Sequence, residues 1–125
     1  MQPVNLFDLA TQQAKWLSVR QTTVASNVAN INTAGYKALE VEPFENVLNG
    51  TRVALRNTNP NHLQFGATNA SFSVTSKDDP AVLPSENTVN MEDELSNAGE
   101  VRRSFELNTA IVKAFHRMLM TTSRG

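Results

Sequence analysis

Phe7, Ala10, Ala14, Leu17, Gln21, Val24, Val28 and Ile31 recur at alternating intervals of three and four residues. An alternation kept up for so long argues a coiled-coil-like helix, one whose seam stays covered by a partner, rather than an ordinary surface helix. The spacing predicts a helix over residues 5–31, about 40 Å long at a rise of about 1.5 Å per residue. Asn5, with Asp8 three residues on and Pro3 just upstream, is the expected N-cap. Ala10, Ala14 and Gln21 are too small or too polar for a tight two-stranded zipper, but small residues let a neighbouring helix come close. Leu6, Leu9 and Trp16 lie off the seam, so the helix carries more apolar surface than one partner can cover. Two readings follow: a helix buried in a small bundle, or a subunit helix that packs against several others in a polymer.

A matching segment closes the chain. From Asn90, Val101, Phe105, Asn108, Val112, Phe115, Leu119 and Thr122 repeat the same alternation, and a second stripe runs through Leu107, Ile111, Ala114 and Met118. Two apolar stripes imply two sets of neighbours. Asn90 is a candidate N-cap, and Glu92, Asp93 and Glu94 suit the positive end of the helix dipole better than a paired-carboxylate hydrolase site. Gly99 costs about 1 kcal/mol relative to Ala inside a helix, so a bend is expected there, or a helix start nearer Glu100. His116, Arg117 and Arg124 suit the negative end. Arg102 and Arg103, flanked by Glu100 and Glu106, read as a solvated or salt-bridged face.

Between the helices the pattern breaks. Residues 38–44 alternate apolar and acidic side chains ahead of Pro43 and are expected to be extended, while Phe44, Val47 and Leu48 suggest one helical turn ended by Asn49-Gly50. Residues 51–56 and 70–75 are expected as short strands. The remainder is turn chemistry, giving a small irregular module rather than a second core. The organisation expected is therefore 1–37 as N-terminal helix and turn, 38–89 as an irregular middle with short strands, and 90–125 as the C-terminal helix. The fold class is mainly α, with the two terminal helices pairing as an antiparallel coiled-coil domain.

The first helix ends in Asn27-Val28-Ala29-Asn30-Ile31-Asn32-Thr33-Ala34-Gly35-Tyr36-Lys37. Its Asn side chains mimic backbone turns, and Gly35 or one of the Asn is free to supply a left-handed cap. The stretch resembles the signature of the bacterial flagellar axial proteins, approximately Asn-x-Ala-Asn-x-x-Thr-Pro-Gly-Tyr-Lys, matched here by Asn27, Ala29, Asn30, Thr33, Gly35, Tyr36 and Lys37. Ala34 stands in place of the usual Pro, which leaves the turn less rigidly preset. Two further elements resemble the proximal-rod members of that family: Thr58-Asn59-Pro60-Asn61-His62-Leu63, and residues 86–94, where Glu86 replaces the usual Gly and Asn90 the usual Asp.

The resemblance implies a structural subunit of the flagellar basal body, polymerising helically into a short tube that carries motor torque across the periplasm. Implied partners are copies of itself, other rod subunits, the rod-to-ring adaptor protein at the base, and the flagellar export apparatus. The seam residues Phe7, Ala10, Ala14, Leu17, Val24, Val28 and Ile31, with Val101, Phe105, Leu107, Ile111, Val112, Phe115 and Leu119, are the expected subunit-packing positions. The patch Leu6-Phe7-Asp8-Leu9 has two readings, an export signal or plain helix packing.

Composition narrows the alternatives. With no cysteine, disulfides, thiolate metal sites and Cys nucleophiles are excluded. Eleven basic residues against twelve acidic ones leave a net charge of −1, which gives no footprint for nucleic acid or an anionic membrane. No apolar run approaches the ~18 residues of a membrane span, and the N-terminus lacks the basic and apolar regions of a cleaved signal peptide. Export without one, and no direct membrane insertion, are expected. His62 is read as a turn residue rather than a ligand, because no carboxylate or second His sits beside it at metal-ligand spacing. No phosphate loop, nucleophile elbow or zinc motif occurs, so no enzyme activity, cofactor or metal is expected. A cytoplasmic coiled-coil export chaperone or adaptor is the alternative that uses the same helices.

Overall fold

The computed structural model describes residues 6–54, 72–77 and 84–125. Three helices and a two-stranded ribbon make up these residues: α1 (Leu6–Ala29), β1 (Leu39–Val41), α2 (Phe44–Ala54), β2 (Val74–Ser76) and α3 (Met91–Arg124). The expected Asn5 cap and the element around His62 lie outside the described residues.

The terminal helices pack together, and they run antiparallel. Phe7 meets Phe115 edge to face with ring centroids 5.3 Å apart, Asn108 Nδ2 donates to Ala10 O at 3.2 Å, Arg20 reaches Glu100, and Asn27 reaches Glu94. As one partner climbs in sequence the other descends. The heptad logic holds where it matters most, since Ala10, Leu17 and Val24, seven residues apart, are buried and face α3 together with Val101. Toward the end of α1 the buried face departs from the expected seam. Thr23 and Asn27 are buried while Val28 stays exposed, and Ile31 lies beyond the helix end at Ala29. The reason is chemical: Asn27 is drawn inward by polar partners on β1 and α3, and the helix rotates to present it.

At about 1.5 Å per residue, the 34 residues of α3 span about 51 Å against about 36 Å for the 24 of α1. The pairing of Phe7 with Phe115 therefore leaves the last two turns of α3 reaching past the described part of α1. The helix begins at Met91 rather than near Glu100 and continues unbroken through Gly99. Its start is fixed by Asn90, whose side chain accepts from Glu92 N at 3.0 Å. Arg20 holds the region around Gly99 through Asn97 and Glu100. These tertiary bonds offset the local cost of glycine.

The middle also corrects two expectations. Residues 51–54, read as the start of a strand, continue α2, which passes through Gly50 instead of ending there. Pro43 O opens that helix by accepting from Asn46 N and Val47 N, and Val47 is buried. A short alternating run does not distinguish strand from helix by itself. The strand expected at 70–75 forms at Val74–Ser76. It pairs antiparallel with β1 in the register Leu39 with Ser76, Glu40 with Thr75 and Val41 with Val74. Lys77 N to Ala38 O and Glu42 N to Ser73 O extend the ladder at both ends. Trp16 fastens this module to α1: its Nε1 donates to Glu42 O at 2.7 Å, and its ring lies 5.7 Å from that of Phe44.

Candidate functional site: the clasp between the two helix ends

The turn after α1 and the segment that leads into α3 fold onto each other. At the centre stands Asn27, 1% exposed. Its amide pairs with residue 39 as a neighbouring strand would, Nδ2 donating to Leu39 O and Oδ1 accepting from Leu39 N, both at 2.9 Å. The same Nδ2 donates to Glu94 Oε1 at 3.0 Å, and the Tyr36 hydroxyl points to Oδ1 at 3.4 Å. One side chain thus joins α1, β1 and α3, a use of Asn that rests on its carrying both a donor and an acceptor.

Asn87, 2% exposed, performs the converse task. Its Nδ2 lies 2.9, 2.9 and 2.8 Å from the carbonyl oxygens of Asn30, Ile31 and Thr33, gathering three carbonyls of the turn that follows α1. Its Oδ1 accepts from Val89 N at 2.8 Å, an Asx turn. Around it, Gly35 N donates to Ser85 O, Thr88 N to Tyr36 O, and Ala38 N to Thr88 Oγ1 at 2.7 Å. Asn30 Nδ2 returns to Ser26 O at 2.8 Å and caps α1, while Thr33 Oγ1 donates to Asn30 Oδ1. Gly35 takes φ +72°, as the turn requires of it, but six residues past the end of α1, so it serves the loop and not the helix cap.

Of the residues matching the axial-protein signature, Asn27, Asn30, Thr33, Gly35 and Tyr36 meet in this clasp, whereas Ala29 and Lys37 face solvent. Glu86 is the one non-glycine among the described residues with positive φ, at 57°. The position where the resembling pattern has Gly therefore keeps the backbone that glycine favours. Sequence reasoning takes Asn87 only as part of the 86–94 element and gives neither it nor Glu94 a place in the clasp. The signal for Asn87 was available, since an Asn-Thr pair three residues ahead of an N-cap is Asx-turn chemistry. The sequence presents Glu94 only as a dipole-complementing charge. It is 4% exposed, its Oε2 has no hydrogen-bond partner among the described residues, and burial raises its pKa, opposed by the Asn27 bond and the Lys77 charge.

Glu94 also lines a cleft of about 380 Å³ between α1, β1, the start of α2 and α3, walled by Trp16, Phe44 and Val41. Among the described residues no group of three or more His, Cys, Asp or Glu side chains is placed to hold a metal ion, and no helix is long and apolar enough to cross a membrane.

The expected packing positions divide by face. Ala10, Leu17, Val24 and Val101 are buried between the helices; Ala14, Phe105, Val112 and Phe115 are half-buried. Phe7, Val28, Leu107, Ile111 and Leu119 are exposed, with Leu107 at 62% and Met118 of the second stripe at 59%.

The family described as flagella basal body rod protein matches residues 9–37, the length of α1 and its turn. The flagellar basal body rod protein FlgB of Agrobacterium fabrum is 43% identical over 129 residues, covering 98% of this chain and 95% of the relative. FlgB of Bacillus subtilis is 26% identical over 90 residues, 70% of this chain and 69% of the relative. FlgB of Buchnera aphidicola is 36% identical over 64 residues, 46% and 47% of the two chains. A likeness of this degree, running through both helices and the clasp between them, shows that the chain belongs to the flagellar basal body rod protein family.

Proposed function

We propose that this chain is a structural subunit of the flagellar rod, similar in role to FlgB, that works by assembly and not by catalysis. The near full-length similarity to FlgB of Agrobacterium fabrum supports the reading. The structural observation that carries it is the second stripe of α3, where Leu107, Ile111 and Met118 stand 45–62% exposed, outside the part of the seam that Leu17, Val24 and Val101 bury. Covering three half-exposed side chains is worth roughly 3–5 kcal/mol per contact, a factor of about a hundred or more in association. A contact between two different surfaces of identical subunits builds a helical assembly when its rotation does not close into a ring.

In this reading the subunit sits in the proximal rod of the basal body and passes torque across the periplasm. Copies of itself, other rod subunits and the rod-to-ring adaptor cover its apolar faces, and the flagellar export apparatus delivers it. The clasp suits such a role because it fixes the angle between the helix ends and the ribbon, so a load on one helix reaches the other through bonds rather than through a loose loop. A coiled-coil export chaperone is not favoured, since it gives no account of the rod-protein similarity. The test is sedimentation velocity over a range of concentrations, with circular dichroism, on the chain and on Leu107→Ser/Ile111→Ser. The chain forms large species as concentration rises, and the variant stays small with unchanged helicity. Equal assembly of the two removes the role given to the stripe.

A further inference from the structure

Charge is segregated along α3. Its first ten residues carry Glu92, Asp93, Glu94 and Glu100 and no base; its last eighteen carry Lys113, His116, Arg117 and Arg124 and no acid. Complementing the helix's own dipole accounts for the first and last turns only, and Lys113 stands three turns from the end. The two ends also differ in shape. The acidic end borders the cleft walled by Trp16 and Phe44, whose carboxylates Glu40, Glu45 and Glu94 outnumber its cations Arg20 and Lys77. Arg20 is engaged by Glu100 at 2.8 Å and by Asn97. Glu94, 4% exposed, keeps one carboxylate oxygen without a hydrogen-bond partner among the described residues. The basic end runs from beside the start of α1 to past its described part, and Lys113, His116 and Arg117 frame an apolar groove there with Val112 and Met120.

We propose that the basic C-terminal end of α3 of one copy docks head to tail against the acidic start of α3 and the Trp16–Phe44 cleft of a second copy. The idea rests on the rod-subunit reading and names the contact that makes it polar. Aliphatic stems of Lys113 and Arg117 lie along the aromatic walls, and their charged heads meet Glu40 and Glu45. Because the two surfaces differ, the contact is heterologous and gives the assembly a direction.

Two charge-reversed variants test it: Lys113→Glu/Arg117→Glu at the basic end and Glu40→Lys/Glu45→Lys at the cleft, neither touching the α1–α3 seam. Sedimentation equilibrium at low salt reads assembly, and circular dichroism checks that both remain folded. Each variant alone assembles about tenfold or more weakly than the parent. An equimolar mixture assembles like the parent, because each reversed surface now matches the partner variant. At about 1 M salt, where screening acts within about 3 Å, the differences shrink. Variants that each assemble as the parent does, or a mixture that stays dissociated, overturn this contact alone. A parent chain that never assembles overturns self-association itself and the contact with it.

Discussion

Replacing Asn87 by Ala removes the group that ties the helix ends together, and its cost can be worked from the geometry. The amide has two hydrogens for three carbonyls at 2.8–2.9 Å, so it counts as about two net hydrogen bonds of about 1 kcal/mol each. Val89 N, on a residue 5% exposed, also loses its acceptor at 2.8 Å. A buried donor left unpaired adds about 1–3 kcal/mol. The expected loss is therefore about 4 kcal/mol, a large share of the stability of a small domain. Urea unfolding of the full chain followed by helix ellipticity measures it. With an m-value of about 2 kcal/mol/M, the midpoint drops by about 2 M. Asn87→Asp is the control for chemistry: it keeps the acceptor for Val89 N but turns a carboxylate oxygen toward three carbonyls, and it falls at least as far at neutral pH. An Asn87→Ala loss under about 1 kcal/mol, or an Asp variant as stable as the parent, refutes the clasp as a determinant of the fold.

Other changes move stability in the opposite direction or with pH. Glu86→Gly relieves a left-handed backbone at φ 57° and raises stability by about 0.5–1 kcal/mol, read as a higher urea midpoint. Gly99→Ala fills open space inside α3, where an added Cβ meets nothing within 4 Å, and gains about 1 kcal/mol; a loss of stability there contradicts the continuous helix. Glu94 is held above its ordinary value of 4.5 by burial, so the folded chain binds its proton more readily than the unfolded one. Stability contributed by this group is full below the unfolded value and falls as pH rises through the folded value. Glu94→Gln keeps an acceptor for Asn27 and abolishes that part of the pH dependence, seen by comparing urea midpoints across mildly acid and neutral pH.

How much of this was legible depends on what the residues do. Period three-four places both helices, because Leu17, Val24 and Val101 act by burial alone and burial leaves a periodic trace. Asn90 announced itself as a cap through the residues that follow it. The clasp was half visible: the turn after α1 carried its own signature, but the polar bonds of Asn27 and Asn87 join positions about sixty residues apart, and spacing along a chain says nothing about such pairs. The swing of the buried face from Val28 to Asn27 has the same origin, a polar attraction from other elements overriding the apolar stripe. Residues 51–54 read as a strand because four or five residues of mixed character fit either period, yet they continue α2. Glu94 drew an electrostatic reading that was right for its neighbours Glu92 and Asp93 on the exposed face and incomplete for the one side chain that turns inward.

The central claim is that the chain is a building part of the flagellar rod, and the most direct measurement is made on the organelle. Basal bodies purified from cells in which this chain is the only copy of its kind are quantified by mass spectrometry and imaged by electron microscopy, beside basal bodies from cells lacking it. The account predicts a fixed stoichiometry of the chain relative to other rod proteins, and rings without a rod in its absence. A chain that remains in the cytoplasmic fraction, with complete rods formed without it, would contradict the account.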